Sequence, residues 1–205
     1  MAKLRGYVFL DRLQPQLMSL LGATCRGYLP RANDASLTVE VAPGMDVEWL
    51  TDVALKHDDV KPGVLVVERQ FGYLEFHSKY AASVQSAGAA LLAAMGASER
   101  DAIKPEILAN RIVDREDGYH SFLINRSKAG SMLLPGESLF ILEMQPAAYA
   151  LIAANEAEKA SNVKLVDCRF MGAAGRLYLA GAESDVRTAA EVAIETLQNL
   201  AGGHA

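Results

Sequence analysis

The sequence is poor in cysteine, and its two cysteines lie far apart. Cys25 and Cys168 form no Cys-x-x-Cys pair and no cysteine-and-histidine spacing typical of a zinc site. This pattern excludes a disulfide framework and an ordinary structural zinc site, and it predicts a reducing setting such as the cytoplasm.

Long apolar runs are also missing. No stretch approaches the roughly 18 uncharged apolar residues of a membrane-spanning helix, and the opening MAKLRGYVFLDRLQPQ lacks the apolar core of a signal peptide. We therefore expect a protein that stays inside the cell and makes no membrane contact.

Charge of one sign is not concentrated in any segment. The 205 residues carry a formal net charge of -5 at pH 7, with acids and bases interspersed. Without a basic stripe to follow a phosphate backbone, we expect no nucleic-acid partner. The 51% hydrophobic content suffices for one large core or two small ones.

Catalytic motifs are missing as well. The chain has no His-Glu-x-x-His, no glycine-rich phosphate loop and no Gly-x-Ser-x-Gly elbow. Asp117, His120 and Ser121 supply the residue types of a hydrolase triad, but sequence neighbours do not make a triad. We predict no catalytic residue, no metal site and no cofactor. The histidines are scattered along the chain: His57, His77, His120 and His204.

What the sequence does contain is an internal repeat. The segment SLTVEVAPGMDVEWLTDVALKHDDV around Pro43 corresponds to SLFILEMQPAAYALIAANEAEKASNV around Pro146, at an offset of 103 residues. The same offset relates Glu40 to Glu143, Ala54 to Ala157, Lys56 to Lys159, Val60 to Val163 and Gly72 to Gly175. We place one domain at residues 1–102 and its repeat at residues 103–205, with the charged, proline-ended linker 99–105 between them.

Each copy is predicted to be one sheet with helices on one side. In the first copy, an early strand at residues 7–10 and an alternating strand at residues 36–41 precede Pro43, and a helix begins near Asp46. The run VLVVERQFGYLEF predicts two strand halves that meet at residues 68–72, and an apolar helix follows until Gly96. The result is roughly β-α-β-β-α per copy, an α+β fold with two tandem domains.

Several stretches carry a resemblance to a known family. LDRLQPQL, VEVAPGMDV, VVERQFG, LINRSKAGSM, LEMQPAAYALIAANEAEKA and GAAGRLYLAG span about residues 5–200. They resemble the circularly permuted, tandem BMC-domain branch of bacterial microcompartment shell proteins, with gated pores, known from carboxysomes and related metabolosomes. The resemblance implies two permuted ferredoxin-like domains, and three chains in a pseudohexagonal disc that tiles shell facets in the cytoplasm.

The resemblance also implies partners. These are two further copies in a homotrimer, a second trimer stacked face to face, hexameric and pentameric shell proteins, and small metabolites that pass a central pore. Two other functions remain open. One is a ligand-binding or sensing ferredoxin-like trimer without a shell role, and the other is a small enzyme with His120 or Glu68 as acid or base.

The resemblance assigns roles to residues as well. Glu68 and Arg69 match the acid and base that line the pore, and exposed ion pairs of about 0 to 1 kcal/mol suit a gate that moves easily. The second copy has Met171 and Gly172 instead, which predicts a threefold gate. Gln70, Phe71 and Gly72 are expected to form a flexible, compact turn beside it, because glycine tolerates unusual backbone angles.

Two lysines are expected at the disc edge. Lys56 and Lys159 end equivalent helices, and the resemblance places this lysine where neighbouring discs meet. A lysine in the last turn of a helix also interacts favourably with the helix dipole, by about 0.3 to 1 kcal/mol, without any partner. Asn155 and Glu158 nearby are interpreted as a solvated helix face.

Overall fold

The computed structural model describes residues 2–202. His204 and the end of the predicted second domain therefore lie outside the described residues. Within them, no helix is long and apolar enough to cross a membrane.

Each half of the chain folds into one sheet and three helices. The elements of the first half are β1 (Lys3–Leu10), α1 (Pro15–Thr24), β2 (Ala35–Ala42), α2 (Asp46–His57), β3 (Lys61–Glu68), β4 (Phe71–Ser78) and α3 (Ala81–Met95). Those of the second half are β5 (Glu106–Val113), α4 (Gly118–Asn125), β6 (Ser138–Gln145), α5 (Ala150–Ala160), β7 (Lys164–Arg169), β8 (Gly175–Gly181) and α6 (Glu183–Asn199).

Both sheets are antiparallel and have the same topology. Their strand orders are β1-β2-β4-β3 and β5-β6-β8-β7. The offset of 103 residues relates β1 to β5 and β2 to β6 residue by residue, and both copies have a cis peptide bond before the equivalent Pro43 and Pro146. The predicted α+β class with tandem domains is confirmed.

The local patterns explain most elements. On β2, Leu37, Val39 and Val41 are buried and belong to one core with residues of α2 and α3. The α3 helix ends at Gly96, whose φ of 65° gives the left-handed cap that glycine adopts without a Cβ penalty.

The predicted order β-α-β-β-α is incomplete. The observed order is β-α-β-α-β-β-α, seven elements rather than five. The predicted order counts the first two strands as one, and it lacks the helix, α1 or α4, that connects them. Pro15 stands in the first turn of α1, where its missing amide hydrogen costs nothing. The buried residues of α1, Leu17, Leu20 and Leu21, belong to the core of the second half, so their partners lie far away in sequence.

Candidate functional site

The loop with the predicted pore residues is the tip of the β3–β4 hairpin. Glu68 ends β3, Arg69 and Gln70 form the turn, and Phe71 begins β4. The Glu68 side chain is 49% exposed and that of Arg69 is 85% exposed, and Arg69 Nε lies 3.8 Å from Glu68 Oε1. Such a loose, exposed pair contributes at most about 1 kcal/mol, so the two side chains are free to take other partners.

The backbone of this turn differs from the expectation. The left-handed conformation falls on Arg69, with φ of 56°, and its counterpart Gly172 also has a positive φ, of 118°. Gly72 instead lies within β4, where a Cβ atom would stand 2.3 Å from the Gly44 carbonyl oxygen. Gly72 is therefore needed for close packing rather than for flexibility, and Arg69 carries a strain of about 1 to 2 kcal/mol.

The β4 side of the hairpin is anchored. The Arg5 guanidinium carbon lies 3.9 Å from the centre of the Phe71 ring, and Arg5 Nε donates to Glu40 Oε1 at 2.7 Å. Glu40 is fully buried and also accepts a hydrogen bond from the Ala148 amide at 3.1 Å. Burial raises the pKa of Glu40, against the opposing effects of Arg5 and the Ala148 amide. Phe71 is held in place while Arg69 and Gln70 are exposed.

The equivalent hairpin of the second half lies beside the first. It lacks an acid-base pair, having Met171 and Gly172 at those positions. The Tyr73 hydroxyl donates to the Gly172 carbonyl at 3.0 Å and accepts from the Gly172 amide at 3.0 Å. The two hairpin tips of one chain are thus joined across the boundary between the halves.

The boundary between the halves, which we call the inner seam, has two parts. In one, β1 and β2 contact residues 147–149 and, for β1, also α5; in the other, α1 contacts α5 and β7. Glu158 on α5 accepts the amides of Gln16 and Leu17 at 2.8 and 3.0 Å, and Asn155 Oδ1 accepts that of Gln14 at 3.0 Å. The interpretation of Asn155 and Glu158 as a solvated face is wrong, because they bind the first turn of α1.

Each half also has a surface that is equivalent to one side of the inner seam but is exposed in the single chain. Five exposed apolar residues have equivalents, 103 positions away, that are buried: Leu65 and Cys168, Val67 and Phe170, Met45 and Ala148, Val113 and Leu10, Leu123 and Leu20. Leu123 is 62% exposed, whereas Leu20 is 2% exposed. The contacts that α1 makes within the chain are thus unmade for its counterpart α4, which could have been suspected from the repeat of Leu20 at position 123.

The two lysines predicted at an edge have different surroundings. Lys56 is 75% exposed and pairs with Asp52 at 2.7 Å on its own helix. Lys159 is 33% exposed, pairs with Glu156 at 2.8 Å, and lies 3.6 Å from Asp11 across the inner seam. Of these two lysines, Lys56 is the more exposed, and its ammonium group is paired with Asp52 of its own helix.

The residue types of a hydrolase triad are not assembled. Asp117 caps α4 by accepting the Tyr119 amide at 2.8 Å, the Ser121 hydroxyl donates to the Gly118 carbonyl at 3.0 Å, and His120 contacts the buried Glu116 carboxylate. Among residues 2–202, no group of three or more His, Cys, Asp or Glu side chains is placed to hold a metal ion.

Neither cysteine has the character of a nucleophile. Burial, and then the nearby Glu75, raise the pKa of Cys25 to about 12, and burial and Asp167 raise the pKa of Cys168. Both are therefore uncharged thiols at neutral pH, and a thiol is a weak nucleophile and metal ligand.

Comparison with known proteins gives consistent matches over nearly the whole chain. Residues 4–101 match the family described as the CsoS1D N-terminal domain, and residues 138–204 match the BMC domain. The carboxysome shell protein CcmP of Synechococcus elongatus is 44% identical over 98% of this chain and 94% of its own length. The carboxysome shell protein CsoS1D of Hydrogenovibrio crunogenus is 45% identical over 98% of both chains.

Two solved structures have closely similar folds. The fused permuted hexameric shell protein MSM0275 from the RMM microcompartment is 58% identical, with a TM-score of 0.95 over 98% of this chain and 99% of its own. The double ringed trimeric shell protein MSM0271 from the same microcompartment is 38% identical, with a TM-score of 0.95 over all of both chains.

Proposed function

This chain belongs to the family of bacterial microcompartment shell proteins that joins a CsoS1D N-terminal domain to a BMC domain, and from that membership we propose that three copies close into a ring with a gated pore on its axis. The chain is a structural protein of a microcompartment shell. We further propose that the shell lies in the cytoplasm, that the ring has no catalytic activity, and that residues 1–102 and 103–205 are its two domains.

One observation supports the ring: five exposed apolar residues have repeat equivalents that are buried, all five of them in the core cluster that includes α1. The inner seam joins the first half to the second, and the unmade contacts of α4 lie on the second half while Leu65 and Val67 lie on the first. This arrangement is head to tail, and such interfaces close into rings when the rotation permits. We call the proposed contact of α4 with the first half of the next chain the outer seam.

The pore follows from the same correspondence. Tyr73 joins the two hairpin tips across the inner seam, and the outer seam would bring the tips of neighbouring chains together in the same way. Six tips would then surround the axis, of which three carry Glu68 and Arg69. The charged pair would give the pore threefold rather than sixfold chemistry, and small metabolites are the proposed traffic.

The 103-residue correspondence between the halves also predicts which residues lie beside Arg69 in the ring. Tyr73 is equivalent to Arg176, and Gly172 is equivalent to Arg69, so Arg176 would face Arg69 of the next chain. Arg176 Nε pairs with Glu143 Oε1 at 2.9 Å, and both side chains are partly exposed. Glu143 and Arg176 of one chain would thus meet Glu68 and Arg69 of the next chain at each outer seam. We propose that an exchange of ion-pair partners among these four residues opens and closes the pore.

Further shell contacts are proposed at the disc edge and between rings. Lys56, and to a lesser degree Lys159, would meet neighbouring discs at the edge, where Lys56 is well exposed. A face-to-face pair of rings is supported by the relative described as double ringed and trimeric. Hexameric and pentameric shell proteins would complete the facets and vertices.

Cryo-electron microscopy of the purified protein, with native mass spectrometry, tests the ring and the pore. We expect three chains, or six in a stacked pair, with Glu68 and Arg69 on the axis. Monomers, or rings with these residues away from the opening, would contradict the proposal. For the gate, Arg176→Ala should change the fraction of open pores. Arg187 lies on α6 and pairs with Asp114, so Arg187→Ala should leave that fraction unchanged.

A further inference from the structure

A buried polar cluster lies on the face of the first sheet that is turned away from α2 and α3. Its members are Ser36 on β2 and Glu75 and His77 on β4, each no more than 3% exposed. The Ser36 hydroxyl donates to Glu75 Oε1 at 2.7 Å, and His77 Nδ1 lies 3.1 and 3.3 Å from the two Glu75 oxygens. An ionised carboxylate only accepts hydrogen bonds, so a hydrogen bond between Nδ1 and an ionised Glu75 requires the proton on Nδ1.

The fold itself does not need this cluster. In the second half, the equivalents of Ser36, Glu75 and His77 are Leu139, Tyr178 and Ala180, which pack in an apolar cluster with Val166. Burying a carboxylate and an imidazole is unfavourable unless something is gained from them. The first half therefore has a polar packing at positions where the second half shows that an apolar packing suffices.

A glycine makes room for the cluster. Val166 of the second half is equivalent to Gly63, where a Cβ atom would stand 2.3 Å from Glu75 Oε2 and 2.8 Å from Cys25 Sγ. The backbone of β3 thus approaches the Glu75 carboxylate more closely than any other residue would allow. The two halves therefore differ at four neighbouring positions, which are 36, 63, 75 and 77 in the first half.

The cluster reaches the surface in a cavity of about 340 Å³. His77 lines this cavity, and its Nε2 makes no hydrogen bond within residues 2–202. The other side chains that define its chemistry are three cations and two tyrosines: Arg31, Lys61, Lys79, Tyr28 and Tyr80.

The charges around the cavity leave a positive balance. Asp34 and Asp59 also line it, but one Asp34 oxygen accepts the Arg31 amide at 2.9 Å and Asp59 pairs with Lys61 at 3.0 Å. The Lys79 ammonium lies 4.6 Å from the centre of the Tyr80 ring. The five charged lining groups give a formal balance of +1. Lys61 shares its charge with Asp59, whereas Arg31 and Lys79 make no ion pair within residues 2–202 and supply positive charge beside the imidazole.

We propose that this cavity binds a small organic or inorganic anion bearing a carboxylate or phosphate group. The anion accepts hydrogen bonds from Nε2 of His77, whose ring Glu75 holds in orientation through Nδ1, and from the ammonium groups of Lys61 and Lys79. The tyrosines supply apolar walls for the remainder of the ligand.

The proposed outer seam leaves the site open. The equivalents of its lining residues in the second half include Met132, Leu134, Asn162, Ala182 and Glu183, and all five are exposed although the inner seam is occupied. The cavity also lies at the end of β4 that is farthest from the hairpin tip. The inference is therefore independent of the proposed pore and extends beyond it.

The test is a titration of the full chain, labelled with ¹³C and ¹⁵N at histidine, with inorganic phosphate and separately with acetate. We expect a saturable shift of the His77 ring signals, weakened at least about tenfold by Lys61→Ala and by Lys79→Ala, since a charge-assisted hydrogen bond is worth about 1.5 to 3 kcal/mol. His120→Ala should leave the affinity unchanged. Saturation by phosphate alone would assign a phosphate site, and saturation by acetate alone a carboxylate site.

Either of two results would overturn the proposal. One is the absence of a saturable His77 shift with either anion at millimolar concentrations. The other is an anion affinity in the Lys61→Ala and Lys79→Ala variants that equals the affinity of the unsubstituted chain. Ser36→Leu combined with Glu75→Tyr and His77→Ala installs the residues of the second half and should abolish binding. Because the two lysines are exposed, their variants keep the test valid even if the triple variant fails to fold.

Discussion

Truncation of one exposed leucine should separate assembly from folding. Leu123 on α4 is 62% exposed, and its equivalent Leu20 on α1 is 2% exposed at the inner seam. If α4 docks on the next chain as α1 docks on α5 and β7, about three fifths of the Leu123 surface is newly buried. Full burial of a leucine side chain is worth about 1.5 to 3 kcal/mol, so each outer seam gains about 1 to 2 kcal/mol from this residue.

A closed ring of three chains has three outer seams. Leu123→Ala should therefore weaken the ring by about 3 to 6 kcal/mol, or about 10² to 10⁴ in the trimer association constant. Because that constant relates three chains to one ring, the midpoint concentration of assembly should rise about 10- to 100-fold. Sedimentation velocity or mass photometry over a dilution series measures that midpoint directly.

Two matched variants make the result decisive. Leu29 is 65% exposed, but its equivalent Met132 is 57% exposed, so Leu29→Ala should leave assembly unchanged. Leu20→Ala should lower the free energy of unfolding by about 2 to 5 kcal/mol, because it opens a cavity inside each chain. The reasoning fails if Leu123→Ala dissociates at the wild-type concentration, or if Leu29→Ala has the same effect as Leu123→Ala.

Three further outcomes follow from local contacts. Gly72→Ala should lower the free energy of unfolding in urea by about 1 to 3 kcal/mol, because its Cβ would overlap Gly44; Gly22→Ala, with its nearest atom at 4.0 Å inside α1, should raise it by about 0.5 to 1 kcal/mol. Glu158→Ala should speed amide exchange at Gln16 and Leu17, which it leaves without an acceptor, whereas Glu156→Ala should not; equal protection in both variants would refute the seam contact. The Ser98 amide and hydroxyl lower the pKa of Asp101 in the folded chain. The stability that Asp101 contributes is therefore present above its unfolded pKa of about 4 and is lost as the pH falls through the lower folded value. Asp101→Asn should make the melting temperature fall less steeply with decreasing pH, and an unchanged pH dependence would contradict this role of Asp101.

The sequence predicts those parts of the fold whose partners are close in the chain. The hairpin at residues 68–72 and the helix that ends at Gly96 have both their pattern and their stop signal within one segment. The repeat then predicts the second half, because equivalent residues meet equivalent neighbours inside each copy. Their bounds differ from the observed ones by only a few residues.

Features that depend on distant partners could not be predicted. The leucines of α1 show an apolar helix, but nothing in PQLMSLLGAT indicates that it covers the other half of the chain. The contact of Gly72 with Gly44 depends on the packing of β4 against the start of α2, so the sequence alone indicates only a turn glycine at this position. Likewise, Ser36 and His77 become neighbours only through the register of β2 with β4.

The differences between the two halves show what a covalent duplication permits. A ring of six identical chains would have one kind of seam and six identical tips, so a residue selected for one contact would appear in all of them. In this chain the inner seam has gained polar contacts, such as Glu158 with the α1 amides, while the outer surfaces keep larger apolar residues such as Leu65 and Leu123. The same freedom places Glu68 and Arg69 on one tip only, and Glu75 and His77 on one sheet only. In the proposed ring of three chains, chemistry that would be repulsive or destabilising at six sites is thereby confined to three.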